Sequence, residues 1–253
     1  MNSSNPVAVG TMLASGLCFD ALLGCGSSAE VWRATTANGV EVAVKLPRQG
    51  SVSAADLLKR EHRVLTELSH PRLPTVLEVI PIGELPAIVF PYFSGGDLIP
   101  VLGSSHRHWA KPALQLAEAL TYVHDSGWVH RDVKPRNVLL SESGDAQLID
   151  FSLAAKIGSP TIGGGTPEYL PPARQEGAPA AASDDVFAFA VTMHELIAGE
   201  LPDASQPLVS SPAAGEELQE LVNFVNEALQ TKKNASSGSV RPFLDVLKSL
   251  VQD

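Results

Sequence analysis

One short segment concentrates the residue types that phosphate chemistry uses. Between His130 and Asn137, a carboxylate at Asp132 is followed by a cation at Lys134, two residues later, and by an amide at Asn137, five residues later. A carboxylate can accept the proton of a hydroxyl, a lysine can neutralise charge on a phosphoryl group, and an amide oxygen can bind a metal ion. This spacing predicts a loop suited to phosphoryl transfer to a hydroxyl.

A second carboxylate, Asp150, directly follows the apolar residues Leu148 and Ile149. An aspartate at the end of a strand is commonly a turn residue, but it can also bind Mg²⁺. Both Asp132 and Asp150 close short β-rich runs and lie 18 residues apart. The repetition favours a shared site over two unrelated turns.

A glycine-containing turn, Gly24-Cys25-Gly26, is expected between two strands. Without a Cβ, backbone N–H groups at such positions can approach phosphate oxygens closely. The turn is not a P-loop, because no Gly-Lys-Ser/Thr follows and the next element is a strand. A plain hairpin without ligand is the alternative.

A lysine within a strand and a glutamate on a helix form the next candidate pair. Lys45 ends the run Val42-Ala43-Val44, and Glu61 shares a helical face with Leu57 and Leu65. A carboxylate on a buried face is costly unless it is paired, so we expect Glu61 to pair with Lys45 and orient it toward a phosphate. Alternatively, Glu61 reaches solvent among the cationic residues Lys59, Arg60 and Arg63.

The elements that must position these residues change character along the chain. Short β-rich runs are predicted over 17–23, 29–35, 40–46, 76–80 and 87–92, with an Asn38-Gly39 hairpin turn and a helix over 54–68 capped by Ser53. Helices are predicted over 111–124, 185–198, 217–229 and 242–251, with Gly199 ending the second. We therefore predict an α+β fold with a loosely held leader at 1–16, a small β-rich lobe at 17–93 and a mainly helical lobe at 94–253.

Composition excludes several classes of protein. The formal net charge of −10 argues against binding to a nucleic-acid backbone, which requires a basic surface. Two cysteines cannot form a disulfide framework, and no apolar run is long enough for a membrane helix or is preceded by a basic signal-peptide region. We expect a cytoplasmic protein without a membrane anchor, although delivery into another cell stays open.

Together, the four segments resemble a family in their order and spacing. The glycine-rich turn, Val42-Ala43-Val44-Lys45, the His130–Asn137 segment and Asp150-Phe151-Ser152 are similar to the motifs of bacterial eukaryotic-like (Hanks-type) serine/threonine protein kinases. The resemblance extends over residues 17–251 and implies the two-lobed protein kinase fold with ATP and Mg²⁺ as cofactors. Lys134 and the segment Gly165-Thr166-Pro167-Glu168-Tyr169 resemble the serine/threonine branch.

The resemblance also implies roles for individual residues. Asp132 is implied as the catalytic base, Lys134 as a contact to the transferred phosphate, Lys45 with Glu61 as a contact to the α- and β-phosphates, and Thr166 as a bridge to Asp132 and Lys134. Asn137 and Asp150 are implied to hold Mg²⁺, and Asp185 to tie down the catalytic loop unless it only caps its helix. The implied nucleotide contacts are Gly24, Gly26, Val31, Ala43, Pro91, Phe93, Asp97 and Leu139.

The chain departs from the family pattern at three places. Ala29 replaces the third glycine of the turn, Ser152 follows Asp150-Phe151 where the family has glycine, and Ala173 stands where the family has a glutamate. That glutamate pairs with a late arginine, so Arg241 is expected to lack its partner unless Glu176 substitutes. We therefore expect a loosened activation segment.

The resemblance predicts transfer of the ATP γ-phosphate to serine or threonine hydroxyls of proteins, with autophosphorylation possible. Ser159 and Thr161 are the candidate phosphorylation sites, with Arg131 as the phosphate's partner, although the segment could be a simple turn. Two alternatives remain: a pseudokinase scaffold that binds ATP without efficient transfer, and a related small-molecule kinase. The expected partners are a protein substrate, and a regulatory protein or transient dimer.

Overall fold

Five strands form one antiparallel sheet near the start of the chain. In this computed structural model, which describes residues 7–48, 53–160, 163–171, 178–203, 207–208, 215–230 and 238–252, the sheet order is β1-β2-β3-β5-β4. Alternating apolar residues give one buried face, on which Phe19 and Trp32 meet edge to face at 6.1 Å between ring centroids. The strands are β1 Cys18–Cys25, β2 Ala29–Thr35, β3 Glu41–Pro47, β4 Glu78–Ile82 and β5 Leu85–Pro91.

The chain divides into two units. The first comprises Met1–Ser69 and Pro74–Ser94, and the second comprises His70–Leu73 and Gly95–Asp253. The connector 70–73 between a helix and β4 thus belongs to the second unit, a detail that no local sequence pattern indicated.

The expectation of a loosely held leader is wrong for residues 7–16. Val7 is buried in the core of the first sheet. The Phe19 N–H donates to the Thr11 carbonyl at 2.9 Å, and the Gly10 N–H donates to the Phe19 carbonyl at 2.8 Å. This segment therefore adds backbone pairing to β1, while residues 1–6 lie outside the described part of the chain.

The turn between β2 and β3 lies where the sequence predicts it, but its type differs. The Gly39 N–H donates to the Thr36 carbonyl at 2.9 Å, so Ala37 and Asn38 occupy the central positions. Gly39 has a φ of 79°, whereas Asn38 is not in the left-handed region. Only the glycine uses its conformational freedom here.

Helix α1, Ala54–Glu67, carries the predicted glutamate on its buried face. The buried residues are Ala54, Leu58, Glu61, Val64 and Leu65. Leu58 rather than Leu57 therefore lies on the stripe shared with Glu61. The predicted Ser53 cap is wrong in its bonding, because Ser53 has helical backbone angles and its side chain makes no cap hydrogen bond.

Within its described residues, the second unit contains four α-helices: α2 His106–Asp125, α3 Ala182–Ala198, α4 Glu216–Gln230 and α5 Arg241–Gln252. Helix α2 begins five residues before the predicted start at Lys111 and contains Pro112. Burial of Trp109, whose ring N–H donates to the Ser104 carbonyl at 3.0 Å, stabilises this early turn. Gly199 ends α3 in the left-handed region, as predicted.

Short strands carry the loops of the second unit. Strands β6 Gly96–Asp97, β8 Val138–Leu140 and β9 Ala146–Leu148 form one small antiparallel sheet, and β7 Trp128–Val129 pairs with β10 Ala155–Lys156. The chain reaches the His130–Asn137 segment from β7 and leaves it into β8. The fold thus fixes both ends of the candidate catalytic loop.

Candidate active site

In the first unit, the structure pairs Lys45 with Glu61. The Lys45 Nζ lies 2.6 Å from Glu61 Oε2, and both side chains are nearly inaccessible to solvent (10% and 2% exposed). The alternative in which Glu61 reaches solvent at the helix edge is therefore wrong. The pair links β3 to α1, because each charge offsets the cost of burying the other.

Three of the predicted nucleotide contacts of the first unit share one face of the sheet. Val31 lies opposite both Gly24 and Lys45 in the strand register, and Ala43 lies opposite Phe90. Because side chains alternate along strands, Val31, Ala43 and Lys45 point away from the core face.

Pro91 and Phe93 lie at the end of this sheet. Pro91 is the last residue of β5 and lies opposite Val42 of β3. Phe93 follows two residues later and is half-buried. The first unit thus holds Pro91 in place by strand pairing, and the adenine contact remains a prediction for both residues.

The glycine-rich turn between β1 and β2 is closed by its own backbone. The Gly26 N–H donates to the Ala29 carbonyl at 2.8 Å, and the Gly26 carbonyl accepts from Arg48 Nη1 at 3.2 Å. Among the described residues, a Cβ at Gly24 would meet nothing within 4 Å. Packing among the described residues therefore does not require glycine at position 24. Close access of a ligand to the backbone is the remaining reason for a glycine there.

In the second unit, Asp132 is surrounded by donors. Lys134 Nζ lies 2.8 Å from Asp132 Oδ2 and 2.6 Å from Thr166 Oγ1, and the Thr166 hydroxyl donates to Asp132 Oδ1 at 2.9 Å. Both carboxylate oxygens are thus held in place. The structure brings together three residues that the sequence analysis placed in two separate segments.

Asn137 completes the fixation of Asp132. Its Nδ2 donates to the Asp132 carbonyl and to Asp132 Oδ2, both at 2.8 Å. This use of the amide nitrogen assigns the amide oxygen as the atom a metal ion could bind. The Ile149 N–H donates to the Asn137 carbonyl at 2.9 Å, which joins the loop to the segment that ends in Asp150.

The donor set at Asn137 and Asp150 fits Mg²⁺. The ion prefers oxygen ligands and commonly takes only one or two from the protein, with phosphates and water completing the shell. Among the described residues, no group of three or more histidine, cysteine, aspartate or glutamate side chains could hold a metal. Asp150 has a φ of 67°, uncommon for a residue other than glycine. This conformation is a constraint found at functional sites.

Asp185 of α3 ties the catalytic loop to the helical core. Its Oδ2 accepts from the His130 N–H and its Oδ1 from the Arg131 N–H, both at 2.7 Å, and the residue is completely buried. His124 Nε2 also lies 2.8 Å from Asp185 Oδ2. The alternative that Asp185 only caps its helix is wrong. Arg131, with a φ of 73°, is the loop residue that this anchor holds in a strained conformation.

His130 is a positioning residue that the sequence analysis did not assign. Its Nε2–H donates to the Ile149 carbonyl at 3.0 Å, and its Nδ1 accepts from the Asp132 N–H at 3.2 Å, a tautomer assigned from these partners. The ring also meets Phe151 edge to face at 4.6 Å between centroids. The His130 imidazole thus bonds both the segment that contains Asp132 and the segment that leads to Asp150.

Tyr169 and Glu195, to which the sequence analysis assigned no role, form a pair that holds the segment containing Thr166. The Tyr169 hydroxyl donates to Glu195 Oε2 at 2.5 Å. Burial raises the pKa of Tyr169, and the bond to Glu195 raises it further; burial likewise raises the pKa of Glu195. A carboxylate within the almost entirely apolar helix α3 was the available signal, as it was for Glu61.

The remaining predicted contacts lie on the small sheet. Asp97 of β6 lies opposite Leu139 of β8. Asp97 Oδ1 accepts from the Ile99 N–H at 3.1 Å, and its Oδ2 lies 3.7 Å from Arg136 Nη1. The second unit therefore brings Asp97 and Leu139 together, and their ribose and adenine contacts remain predictions.

The candidate phosphorylation segment is only partly described. Arg131 Nη1 donates to the Leu153 carbonyl at 2.9 Å, and the Ser159 hydroxyl donates to the Lys156 carbonyl at 2.7 Å. Thr161 lies outside the described residues. Modification at either site stays a prediction.

The expectation that Arg241 lacks a partner is wrong. Arg241 Nη2 lies 2.6 Å from Asp125 Oδ2, which joins the start of α5 to the last residue of α2. Ala173 and Glu176 lie outside the described residues. The arginine therefore takes a helix-end carboxylate as its partner.

A five-stranded sheet with one helix, followed by a helical unit that fixes an aspartate-bearing loop, defines the architecture of the two-lobed protein kinases. Comparison with known proteins agrees with this class. The chain belongs to the protein kinase domain family, which matches residues 18–252.

Three curated relatives are bacterial serine/threonine-protein kinases. PkaB of Streptomyces coelicolor is 33% identical over 87% of this chain and 60% of its own length. PkaA of the same organism is 34% identical over 71% of this chain and 38% of its own length. Pkn2 of Myxococcus xanthus is 32% identical over 71% of this chain and 24% of its own length. The chain thus spans between about a quarter and three fifths of the length of these three relatives.

Proposed function

We propose that the protein is a serine/threonine protein kinase that transfers the γ-phosphate of ATP to a serine or threonine hydroxyl of a protein. The observation that carries the proposal is the fixation of the Asp132 carboxylate by Lys134, Asn137 and Thr166 at 2.8 to 2.9 Å. A base held at both oxygens is suited to orient a hydroxyl for attack.

The residues divide the work of the reaction. Asp132 accepts the proton of the acceptor hydroxyl. As it does so, the hydroxyl oxygen forms a bond to the γ-phosphorus, and the bond between that phosphorus and the leaving ADP oxygen breaks. Lys134 and Lys45 offset negative charge on the phosphates, Lys45 being oriented by Glu61. Asn137 and Asp150 would hold Mg²⁺, which supplies positive charge against the phosphate oxygens.

The pseudokinase alternative is not favoured. All of the charged groups that transfer requires are retained, and the curated relatives are named as protein kinases. A small-molecule kinase is disfavoured by Lys134 after the base and by the segment that contains Thr166. Both features support a serine or threonine acceptor.

We further propose a cytoplasmic location and a protein substrate, with a regulatory protein or transient dimer as a second partner. Acidic composition supports the absence of nucleic-acid binding. Within the described residues, no helix is both long and apolar enough to cross a membrane.

A transfer assay with radiolabelled ATP tests the function. The purified protein is incubated with Mg²⁺ and labelled ATP, with and without a generic protein acceptor. We expect label on protein, and a loss of at least about 100-fold in rate for Lys45→Met and for Asp150→Asn.

Matched changes at exposed positions serve as controls. Lys59→Met on α1 and Asp245→Asn on α5 alter the same residue types at ion pairs on the surface. Both controls should transfer at the rate of the unsubstituted protein. Normal turnover in Lys45→Met or Asp150→Asn would refute the mechanism, and ATP binding without any transfer would establish the pseudokinase alternative.

A further inference from the structure

A polar cluster in the second unit lies outside the site described above. It consists of Arg72, Lys111, Gln115 and Asp145, and is called the Asp145 cluster below. Asp145 Oδ1 lies 3.1 Å from Arg72 Nη1, 3.2 Å from Lys111 Nζ and 3.1 Å from Gln115 Nε2. One carboxylate oxygen thus receives donors from the connector 70–73 and from two successive turns of α2.

These bonds stabilise the charged form of the carboxylate. Hydrogen bonds from Gln115, Lys111 and Ser143 hold the pKa of Asp145 well below its ordinary value. The two ion pairs alone would be weak, because Arg72, Lys111 and Asp145 are partly exposed. The cluster gains its rigidity from the convergence of several donors and from Gln115, which is buried.

The cluster fastens strand β9 at both ends. At its start, Gln115 Oε1 accepts from the Ala146 N–H at 2.6 Å. At its end, the Leu148 N–H donates to the Arg72 carbonyl at 2.9 Å. Gln115 and Arg72 therefore bind both the side chain of Asp145 and the backbone of the strand that follows it.

Strand β9 leads directly to the predicted metal ligand Asp150. It also pairs with β8, the strand that follows the other predicted ligand, Asn137. Asn137 precedes β8, Asp150 lies two residues after β9, and the Ile149 N–H donates to the Asn137 carbonyl at 2.9 Å. A displacement of β9 along β8 would therefore move Asp150 relative to Asn137. Mg²⁺ demands near-ideal octahedral geometry, so a small displacement is enough to weaken its binding.

We propose that Asp145, together with Gln115, is a positioning residue that fixes the β8–β9 hairpin so that Asn137 and Asp150 present their oxygens together to Mg²⁺. The inference rests on the proposed function for the identity of the metal site. The hydrogen bonds of the Asp145 cluster lie entirely within the second unit and do not involve Asp132, Asn137 or Asp150.

The first test is the Mg²⁺ dependence of phosphate transfer by the full chain. Asp145→Ala should raise the Mg²⁺ concentration for half-maximal rate by roughly 3- to 10-fold, less than the 10- to 100-fold typical of groups that bond directly to metal ligands. The rate at saturating Mg²⁺ should stay within about 2-fold, because positioning is restored by mass action. Asp145→Asn keeps an acceptor oxygen, so its Mg²⁺ concentration for half-maximal rate should lie between those of the unsubstituted protein and Asp145→Ala.

Two further variants sharpen this test. Gln115→Leu should shift the Mg²⁺ dependence in the same direction, and the double variant should shift it less than the product of the single effects, since both residues hold one hairpin. Asp245→Ala removes an exposed aspartate with a lysine three residues away and should change nothing. An unchanged Mg²⁺ dependence in Asp145→Ala, or a lost rate that saturating Mg²⁺ does not restore, overturns the proposal.

Amide hydrogen exchange reads the hairpin without nucleotide. In Asp145→Ala, the Ala146, Leu148 and Ile149 amides should exchange at least about 10-fold faster than in Asp245→Ala, because their bonds depend on the cluster. If these amides exchange at unchanged rates in Asp145→Ala, the proposal is overturned, even when the unsubstituted protein transfers phosphate normally. If the unsubstituted protein transfers no phosphate, the proposed function is refuted, while amide exchange still decides the role of Asp145 in the hairpin. If Asp145→Ala does not fold, both measurements are made on Asp145→Asn.

Discussion

The burial of Glu61 shows how one side chain can reveal a function. A glutamate that is 2% exposed on the inner face of α1 would be strongly destabilising without a compensating charge, and Lys45 supplies that charge at 2.6 Å. The arrangement is costly compared with two apolar residues. The pair is consistent with the proposed role, in which Glu61 orients Lys45 toward phosphate.

The cost of breaking this pair can be measured against an exposed one. Glu61→Gln should lower the free energy of unfolding by about 3 kcal/mol, because it leaves the buried Lys45 ammonium without its counter-charge. Glu41→Gln, at an exposed pair with Arg33 at 3.7 Å, should change it by less than about 0.5 kcal/mol. Urea unfolding of both variants checks the difference; equal losses would mean that burial of the pair carries no weight.

Thr166 permits a second test at the scale of one residue. Thr166→Val removes the hydroxyl that bonds Asp132 and Lys134 and should lower kcat roughly 10- to 100-fold through misplacement of the base. Thr166→Ser should retain most of the rate, since it keeps the hydroxyl. Thr66→Val, at an exposed threonine of α1, is the control; identical rates for the valine and serine variants at position 166 would contradict the bridging role.

At the scale of elements, helix α3 organises the catalytic loop and the segment beyond it. Asp185 near its start holds the backbone of His130 and Arg131, while Glu195 near its end holds Tyr169. Two buried acids on one apolar helix therefore anchor two different loops. This explains how short loops of irregular backbone keep a defined geometry.

Gly165 tests how tightly the second of these loops is packed. Its φ is 104°, and a Cβ would lie 3.1 Å from Leu170 Cδ2 and 3.3 Å from the Arg131 carbonyl oxygen. Gly165→Ala should therefore lower the free energy of unfolding by about 1–3 kcal/mol and reduce transfer by displacing Thr166. Gly163→Ala is the control, since no described atom lies within 4 Å of its Cβ; urea unfolding that shows equal stability for both variants would refute the packing argument.

At the scale of the whole molecule, acid should weaken the fold through the connector 70–73. Burial lowers the pKa of His70 from its ordinary value of 6.5, and the ring, stacked on Tyr122, accepts the Arg72 N–H through Nδ1. Nearby Glu118 opposes the shift, and the Arg72 charge adds to it. Because the unfolded chain takes up the proton first, the contribution of His70 is complete above pH 6.5 and is lost as pH falls through the lowered pKa.

Urea unfolding between pH 7.5 and pH 5 measures this contribution. His70→Gln should flatten the dependence of the unfolding midpoint on pH across that window, whereas His108→Gln, at an exposed position in α2, should leave the slope unchanged. A slope that persists in His70→Gln would assign the acid sensitivity to other groups.

Much of the fold was readable from local patterns. The five strands, α1 and the four later helices were predicted because alternating or helical periodicity acts within a few residues. Boundaries failed where distant contacts decide them: α2 starts before Pro112 because Trp109 is buried, and residues 7–16 are held by pairing with β1. The Lys45–Glu61 pair was predictable because a charge on an apolar helix face demands a partner.

The sequence by itself determined the fold class and the residue types at the site, since glycines, paired charges and apolar periods carry their physical meaning locally. Only the tertiary structure decided which partners meet. Arg241 pairs with Asp125 across 116 residues, and Arg72 reaches Asp145 across 73. Whether a hydrogen bond or ion pair forms depends on differences of a few tenths of an ångström in the distance between two side chains. That precision arises only when helices and strands from distant parts of the chain pack together.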